Sequence, residues 1–261
     1  MALLTLGPNG SLAHEAATLL SPRKKVQFAS SIDELFFRLA DKEITEGVIS
    51  IEVGGEFIED SISHLMKYDF SITRKVTFPL HYHLVGEGES LTHLYGHQVA
   101  FEGCRTALHT LFPAAKRMIA PTVGHAALQY QANREGAGAI VTPFAAKFYD
   151  LPILAERIED EEELHATFFA IGKHPPKKKS PSGSAFLIFS EPMASIGKQI
   201  ADQARELKIP LLKLKNLLLQ EGHTPLYFME VEGHIEDRPM RTFFESLSNK
   251  YLIKHLGSYP L

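Results

Sequence analysis

Alternating apolar and polar stretches in the first part of the chain predict a series of strands and helices. Short apolar runs at 3–6 and 47–51 have the length and composition of strands buried within a sheet, and residues 25–28 can form a further strand between them. Between them, apolar residues recur at helical spacing over 35–39, and the preceding residues 31–34 match a capping box that begins a helix. This alternation of strand and helix is typical of a doubly wound α/β domain.

The same alternation predicts a second α/β unit that begins near residue 92. We expect helices over 100–111, 122–133 and 144–148, and strands over 117–120 and 139–141. Two further apolar segments, at 153–159 and 166–171, are predicted to be strands that return to the first lobe. The two lobes would then enclose a cleft, and ligands of open α/β sheets bind at the carboxyl ends of the strands.

A change in composition marks the end of this region. Residues 174–184 are rich in proline, serine, glycine and lysine, which is typical of a linker. After the linker, the pattern of apolar positions predicts the order βαββαβ, with strands at 185–189, 211–219, 226–231 and 251–255. This order is that of a ferredoxin-like module.

The turn between the first strand and the first helix is the clearest candidate for a binding site. Gly7 and Gly10 allow backbone conformations that a side chain disfavours, and Pro8 stiffens the turn. We expect free backbone N–H groups and the Ser11 hydroxyl at the N-terminus of the helix, where partial positive charge suits a carboxylate or phosphate. The alternative is a plain strand-to-helix turn without a ligand.

Composition and charge narrow the possible functions. The 261 residues carry a net charge of −4, so no general positive field favours nucleic acid or a membrane surface. The single cysteine excludes an intramolecular disulfide and fits a reducing cytosol. We recognise no signal peptide and no apolar stretch of about 20 residues, so we expect a cytoplasmic protein without a membrane span.

Two terminal motifs make the chain resemble a known family. The sequence GPNGSLAHEAA at 7–17 is similar to the opening of prephenate dehydratases, and GHIEDRPMRTFFESLSNKYLIKHLGSYP at 233–260 is similar to the end of their regulatory ACT domain. The resemblance implies a two-lobed α/β catalytic domain of the type II periplasmic-binding-protein kind, followed by a ferredoxin-like ACT domain. The implied boundaries are 1–174 for the catalytic domain (lobe one about 1–76 plus 160–174, lobe two about 77–159), 175–184 for the linker and 185–261 for the ACT-like domain.

The resemblance also implies catalytic residues. Thr167 lies where the family carries Asn-x-Thr-Arg-Phe, with the threonine central to catalysis, and Glu52 lies where it has Pro-Ile-Glu-Asn. His97 keeps its place in a motif that reads Ser-His-Pro-Gln in the family. The chain departs from these motifs at several positions. Val53, Val99 and Phe168 replace asparagine, glutamine and arginine respectively, and His165 replaces the asparagine before the threonine. For Glu52 and His97, an ordinary structural role is the alternative.

The implied substrate-binding residues are Gly10, Ser11, Thr122 and Phe169. Thr122 keeps the threonine of a turn that reads Ser-Thr-Ala in the family and Pro-Thr-Val at 121–123 here, and helix capping alone is the alternative role. His81 and His83 lie on one strand face, as metal ligands could, but no third ligand is evident, so we expect no metal site. The effector-binding motifs of the ACT domain are replaced at 193–195 and 215–218, which leaves the effector unknown and predicts weak or no phenylalanine feedback through the usual site.

Together these features predict a lyase that converts prephenate to phenylpyruvate, water and carbon dioxide for phenylalanine biosynthesis, with no cofactor. One alternative is a decarboxylase that does not aromatise prephenate, and another is an inactive protein that senses a small anion on the same scaffold. The expected partner is the small-molecule substrate, with no nucleic acid or membrane. By analogy, ACT-like modules that pair through their sheets predict a homodimer or homotetramer.

Overall fold

The computed structural model describes residues 2–88, 90–161, 163–190, 196–217 and 226–261. The chain forms two compact units, each assembled from separate segments. The first unit contains Met1–Leu35, Val48–Glu56 and Val76–Phe168, and the second contains Phe36–Gly47, Phe57–Lys75 and Phe169–Leu261.

Strands and helices alternate along most of the chain. The first elements are β1 (Leu3–Leu6), α1 (Leu12–Leu20), β2 (Val26–Ala29), α2 (Ile32–Ala40), β3 (Glu46–Val53), β4 (Glu56–Phe57), α3 (Glu59–Lys67) and β5 (Ser71–Pro79). They are followed by β6 (His83–Gly86), β7 (His93–Gly96), α4 (Gln98–Gly103), α5 (Arg105–Leu111), β8 (Lys116–Ile119), α6 (Val123–Ala132), β9 (Ala137–Val141), α7 (Pro143–Phe148), β10 (Ile153–Ala155) and β11 (His165–Gly172). The last elements are β12 (Ser182–Phe189), α8 (Ile196–Glu206), β13 (Leu211–Leu217), β14 (Leu226–Glu232), α9 (Arg238–Ser248) and β15 (Leu252–Pro260).

The first sheet has the strand order β2-β1-β3-β11-β5, and β4 pairs with β3. Strands β1 and β2 are parallel, with Leu3 opposite Val26. At the start of α2, Ser31 Oγ accepts a hydrogen bond from the Glu34 N–H, as the predicted capping box requires, and the Glu34 carboxylate accepts from the Ser30 N–H at 2.7 Å. Strands β3, β5 and β11 each belong partly to one unit and partly to the other.

The second sheet lies within the first unit and has the order β10-β6-β9-β7-β8. The expectation that 153–159 returns to the first lobe is wrong, because Ile153 of β10 pairs with Val85 of β6 in this second sheet. Strand β7, which the sequence pattern did not predict, lies between β8 and β9 and runs parallel to both. The predicted helix over 100–111 is divided at Cys104, whose φ of −119° and ψ of 22° interrupt the helical backbone.

The third sheet lies within the second unit and has the order β13-β14-β12-β15. Its strands and the helices α8 and α9 follow the chain order βαββαβ that the sequence pattern predicts. Buried residues of both helices and of β12 and β14 form one apolar core. The end of the predicted strand over 211–219 lies outside the described residues.

Strands β5 and β15 approach each other closely in the second unit. Gly257 has a φ of +142°, and a Cβ atom there would lie 2.7 Å from both the N and the O of Ile72, so the contact requires glycine. Nearby, Lys75 Nζ lies 2.7 Å from Oε1 of the buried Glu230. The Tyr259 hydroxyl donates to the same carboxylate. Within the described residues, none of the helices is both long enough and apolar enough to cross a membrane.

Candidate active site

The turn before α1 satisfies its own polar groups. Ser11 caps the helix by accepting a hydrogen bond from the His14 N–H at 3.2 Å, and the Ser11 N–H donates to Pro8 O. The Gly10 N–H donates to His14 Nδ1 at 3.0 Å. The expectation that Gly10 and Ser11 offer free N–H groups to an anion is therefore wrong, because the imidazole and the turn itself accept both hydrogens.

His14 is able to accept this hydrogen bond because it is neutral. Burial lowers the pKa of His14, and its ring packs edge-on against three phenyl rings. The ring centroids of Phe28, Phe144 and Phe148 lie 5.4, 5.1 and 5.1 Å away respectively. The apolar cage thus keeps Nδ1 unprotonated and fixes the conformation of the turn.

The N-termini of α1 and α6 meet at this turn. A Cβ atom on Gly124, in the first turn of α6, would lie 2.6 Å from Asn9 O and 2.9 Å from Ser11 N. On its other side the turn is covered by Tyr149, whose hydroxyl donates to Asn9 O at 2.7 Å. Two positively polarised helix ends therefore lie next to each other, an arrangement suited to a carboxylate.

Thr122 caps the second of these helices. Its Oγ1 accepts a hydrogen bond from the His125 N–H at 3.2 Å and lies 3.0 Å from His125 Nδ1. Helix capping thus accounts for the polar contacts of this side chain. The backbone N–H groups of the first turns remain available to a ligand, since no partner for those of Ala13 or Val123 is found among the described residues.

His97 lies at the start of α4, where its Nδ1 accepts a hydrogen bond from the Val99 N–H at 3.3 Å. Burial lowers the pKa of His97, although the nearby Glu102 carboxylate works in the opposite direction. The ring is therefore neutral, and because Nδ1 accepts, Nε2 carries the hydrogen and can donate it. Glu52 lies near the end of β3, two residues before Gly54, which approaches Val99.

Thr167 lies on β11, and its hydroxyl oxygen is 3.1 Å from that of Thr77 on β5. The next residue on each strand points to the opposite face of the sheet, where the Phe78 and Phe168 rings stack with centroids 5.9 Å apart. Phe168, which stands where the family has arginine, is thus a core residue. It removes no group from the face of the sheet that carries Thr167.

The structure does not bring Phe169 into this group of residues. Its side chain is fully buried in the second unit, where its ring centroid lies 5.7 Å from that of Tyr259 and 6.3 Å from that of Phe228. These contacts describe a packing role for the ring, and the expected contact of Phe169 with the substrate stays a prediction.

A shared apolar cluster brings the remaining predicted positions together. Leu12, Val53, Ala100 and Val123 all belong to it or pack against it. Each is next to a predicted site residue or within three positions of one: Ser11, Glu52, His97 and Thr122 respectively. The residues that follow β3 are linked to β11, because the Gly54 N–H donates a hydrogen bond to His165 O at 2.9 Å.

Glu15 is a polar group of this region that the sequence pattern did not single out. It lies in the first turn of α1 and is only partly exposed. Burial raises the pKa of its carboxyl to about 7. Its position three residues after Leu12, on the same helix face, is the signal that could have identified it, because that face packs on the shared apolar cluster.

The two histidines considered as metal ligands have separate protein partners. His81 Nδ1 lies 2.8 Å from Glu159 Oε1, and His83 Nδ1 accepts from the Arg157 N–H at 3.1 Å. Burial opposes ionisation of Glu159, but hydrogen bonds from the Tyr82 N–H and from His81 keep its pKa below the ordinary value. Among the described residues, no group of three or more His, Cys, Asp or Glu side chains could hold a metal ion.

The fold and these contacts define the class of protein. It is an α/β protein with adjoining helix N-termini and neutral hydrogen-bond donors, a combination suited to a small organic anion. The family model for prephenate dehydratase matches residues 3–176, and the chain belongs to this family.

A curated relative is similar to this chain in sequence, and two solved structures share its fold. The chain is 24% identical over 263 residues to the bifunctional chorismate mutase/prephenate dehydratase of Pseudomonas aeruginosa, which covers 98% of this chain and 72% of that protein. The structure of the Arthrobacter aurescens prephenate dehydratase in complex with L-Phe is similar, with a TM-score of 0.85, 17% identity and coverage of 100% and 90% of the two chains. GqqA, a novel type of quorum quenching acylase, also shares the fold, with a TM-score of 0.81, 18% identity and coverage of 100% and 98%.

Proposed function

We propose that this chain converts prephenate to phenylpyruvate, carbon dioxide and water, as a step of phenylalanine biosynthesis. In this reaction the bond to the ring carboxylate and the bond to the ring hydroxyl both break, and the ring becomes aromatic. Aromatisation supplies much of the driving force. The protein must therefore hold two carboxylates and help the hydroxyl to leave, which positioned donors accomplish without a cofactor.

The residues of the first unit divide these tasks. The N–H groups in the first turns of α1 and α6 bind a carboxylate, since the helix ends carry partial positive charge. Thr167 donates a hydrogen bond to the departing hydroxyl. The neutral His97 ring donates from Nε2 to an oxygen of the substrate, and Glu52 assists at the end of β3. Thr122 and Ser11 act through the helices that they cap.

The meeting of α1 and α6 is the observation that carries this proposal. Gly124 packs directly on the turn 9–11, so the two helix ends support one binding position instead of two separate ones. The family match over residues 3–176 independently supports prephenate as the ligand of that position. The location of Phe168 in the core is consistent with activity despite the missing arginine.

A prephenate assay with the purified protein tests the proposal. Phenylpyruvate, followed by its alkaline ultraviolet absorbance, should form well above the spontaneous rate, and Thr167→Val should abolish most of this rate. Loss of prephenate without phenylpyruvate would favour the decarboxylase. Stable prephenate would refute an enzymatic role on this substrate and favour the anion sensor.

We also propose that β12–β15 with α8 and α9 form an ACT-like regulatory module, and that the protein assembles as a homodimer or homotetramer. The chain order βαββαβ supports the first proposal. The usual effector motif at 193–195 is replaced and lies outside the described residues. We therefore expect no tight phenylalanine binding, which calorimetric titration tests, while light scattering gives the size of the assembly.

A further inference from the structure

The two hydroxyls of Thr77 and Thr167 form a pair whose geometry is determined by the sheet. Phe78 stacks on Phe168 in the core with an interplanar angle of 8°, and both rings are buried. Because side chains alternate along a strand, this stack sets the alignment of β5 and β11 and places Thr77 opposite Thr167 on the other face. Their Oγ1 atoms lie 3.1 Å apart, a hydrogen-bond distance.

Each threonine hydroxyl has a single hydrogen to donate. Within the described residues, Thr77 is the partner that the structure gives to the Thr167 hydroxyl. If Thr167 donated to Thr77, its hydrogen would be unavailable to the substrate. A donor role for Thr167 therefore requires that Thr77 donate to Thr167, which leaves the Thr167 hydrogen free.

The exposure of the two side chains agrees with this direction. Thr167 is 8% exposed and Thr77 is more exposed, so solvent can satisfy the lone pairs of Thr77 while Thr167 depends on its neighbour. An accepted hydrogen bond also polarises the Thr167 hydroxyl and makes it a stronger donor. Because threonine is branched at Cβ, one hydrogen bond is enough to select its rotamer.

We propose that Thr77 is a positioning residue, whose hydroxyl donates to Thr167 Oγ1 and so directs the Thr167 hydrogen to the departing hydroxyl of the substrate. This inference rests on the proposed function. Thr77 itself forms no bond to the substrate, and no covalent bond to either threonine is made or broken. The electrons of the bond to the departing carbon dioxide enter the ring, the ring hydroxyl leaves with the electrons of its own bond, and it takes up one net proton from the solvent to become water.

The kinetics of three purified variants with prephenate test the positioning role of Thr77. Thr77→Val keeps the shape and removes the hydroxyl, and we expect kcat to fall about tenfold with KM nearly unchanged, the size expected for one hydrogen bond. Thr77→Ser should restore most of the rate. Thr73→Val is the matched control on the same strand, since the Thr73 hydroxyl has its acceptors away from Thr167, at 3.0 Å from Glu46 Oε1 and 3.2 Å from Ala170 O. This variant should retain the parent kcat.

A double-mutant cycle separates this inference from the proposed function. Thr77→Val should add nothing in a Thr167→Val background, because the hydroxyl it would orient is gone. If Thr167→Val alone keeps the full rate, the proposed role of Thr167 fails. If Thr167→Val is inactive while Thr77→Val keeps the full kcat, only the role of Thr77 is overturned. A loss that Thr77→Ser does not restore would also refute it, and Thr77→Ala replaces Thr77→Val should that variant fail to fold.

Discussion

Glu15 offers a quantitative test of the environment around α1. Replacing it with glutamine keeps the size of the side chain and removes its ionisation. Burial raises the pKa of Glu15 to about 7 in the folded protein, against 4.5 ordinarily. The positive end of α1 would act in the opposite direction, by less than about 1 kcal/mol, so desolvation determines the sign.

The raised pKa means that ionisation of Glu15 opposes folding. The effect is absent below pH 4.5, where both folded and unfolded states are protonated, and complete above pH 7, where both are ionised. Full conversion of the pKa difference would give about 3 kcal/mol, and partial solvent exposure reduces this to about 1–2 kcal/mol. Glu15→Gln should therefore stabilise the protein at pH 8 and leave it nearly unchanged at pH 4.5.

Thermal melts of the parent and of Glu15→Gln at half-unit intervals between pH 4.5 and 8 measure this difference. A gain of 1–2 kcal/mol corresponds to an increase in Tm of about 2–8 °C at pH 8 for a chain of this size. Glu156→Gln, at an exposed position of the same unit, is the matched control for the change in net charge. A Tm difference that is constant across the pH range would refute the reasoning, since only a perturbed carboxyl produces a slope.

Three further substitutions test the packing. Gly124→Ala should destabilise the protein by about 1–3 kcal/mol and raise KM for prephenate, because the new methyl group meets backbone atoms. Gly197→Ala is the control at the corresponding position of α8, where the nearest atom lies 3.7 Å away, and it should change neither quantity. Equal melting temperatures and kinetics for the two variants would contradict the close approach at Gly124. Phe168→Ala should cost about 3–5 kcal/mol in denaturant unfolding, and a smaller effect than about 1 kcal/mol would argue against a core position. Lys75→Met leaves Glu230 buried without its cation and should lower the free energy of unfolding by about 3–5 kcal/mol. Adding Glu230→Gln should recover most of this loss. If the effects of the two substitutions are simply additive, the two side chains are not coupled.

Much of the fold follows from apolar periodicity, and the exceptions have physical causes. Strand β7 was not predicted because its four residues, HLYG, include a histidine and a glycine. It is a strand because β8 and β9 hold it on both sides, which depends on partners distant in sequence. The helix over 100–111 breaks at Cys104, directly after Gly103, whose low helix propensity is the local signal for this break.

The tight turn before α1 was predictable from the sequence, but its hydrogen bonds were not. Glycine and proline indicated a tight turn before α1, yet they could not reveal that the His14 ring folds back to accept the Gly10 N–H. Thr167 and Phe169 share one strand face by alternation, but different elements cover that face along its length. Thr77 lies beside Thr167, whereas aromatic rings of the second unit pack on Phe169.

The three apolar residues that depart from the family motifs, at positions 53, 99 and 168, each contact other apolar groups or a close backbone segment. Val53 packs on the apolar cluster of the first unit, and Phe168 stacks within the core. Val99 has its methyl group beside Gly54 and contributes its backbone N–H to His97. Each replacement therefore puts an apolar side chain where the family has a polar one, and Val53 and Phe168 both pack in apolar surroundings. In the proposed mechanism the departing hydroxyl depends on the Thr167 hydrogen, so the direction of the hydrogen bond between Thr77 and Thr167 decides whether that hydrogen is free.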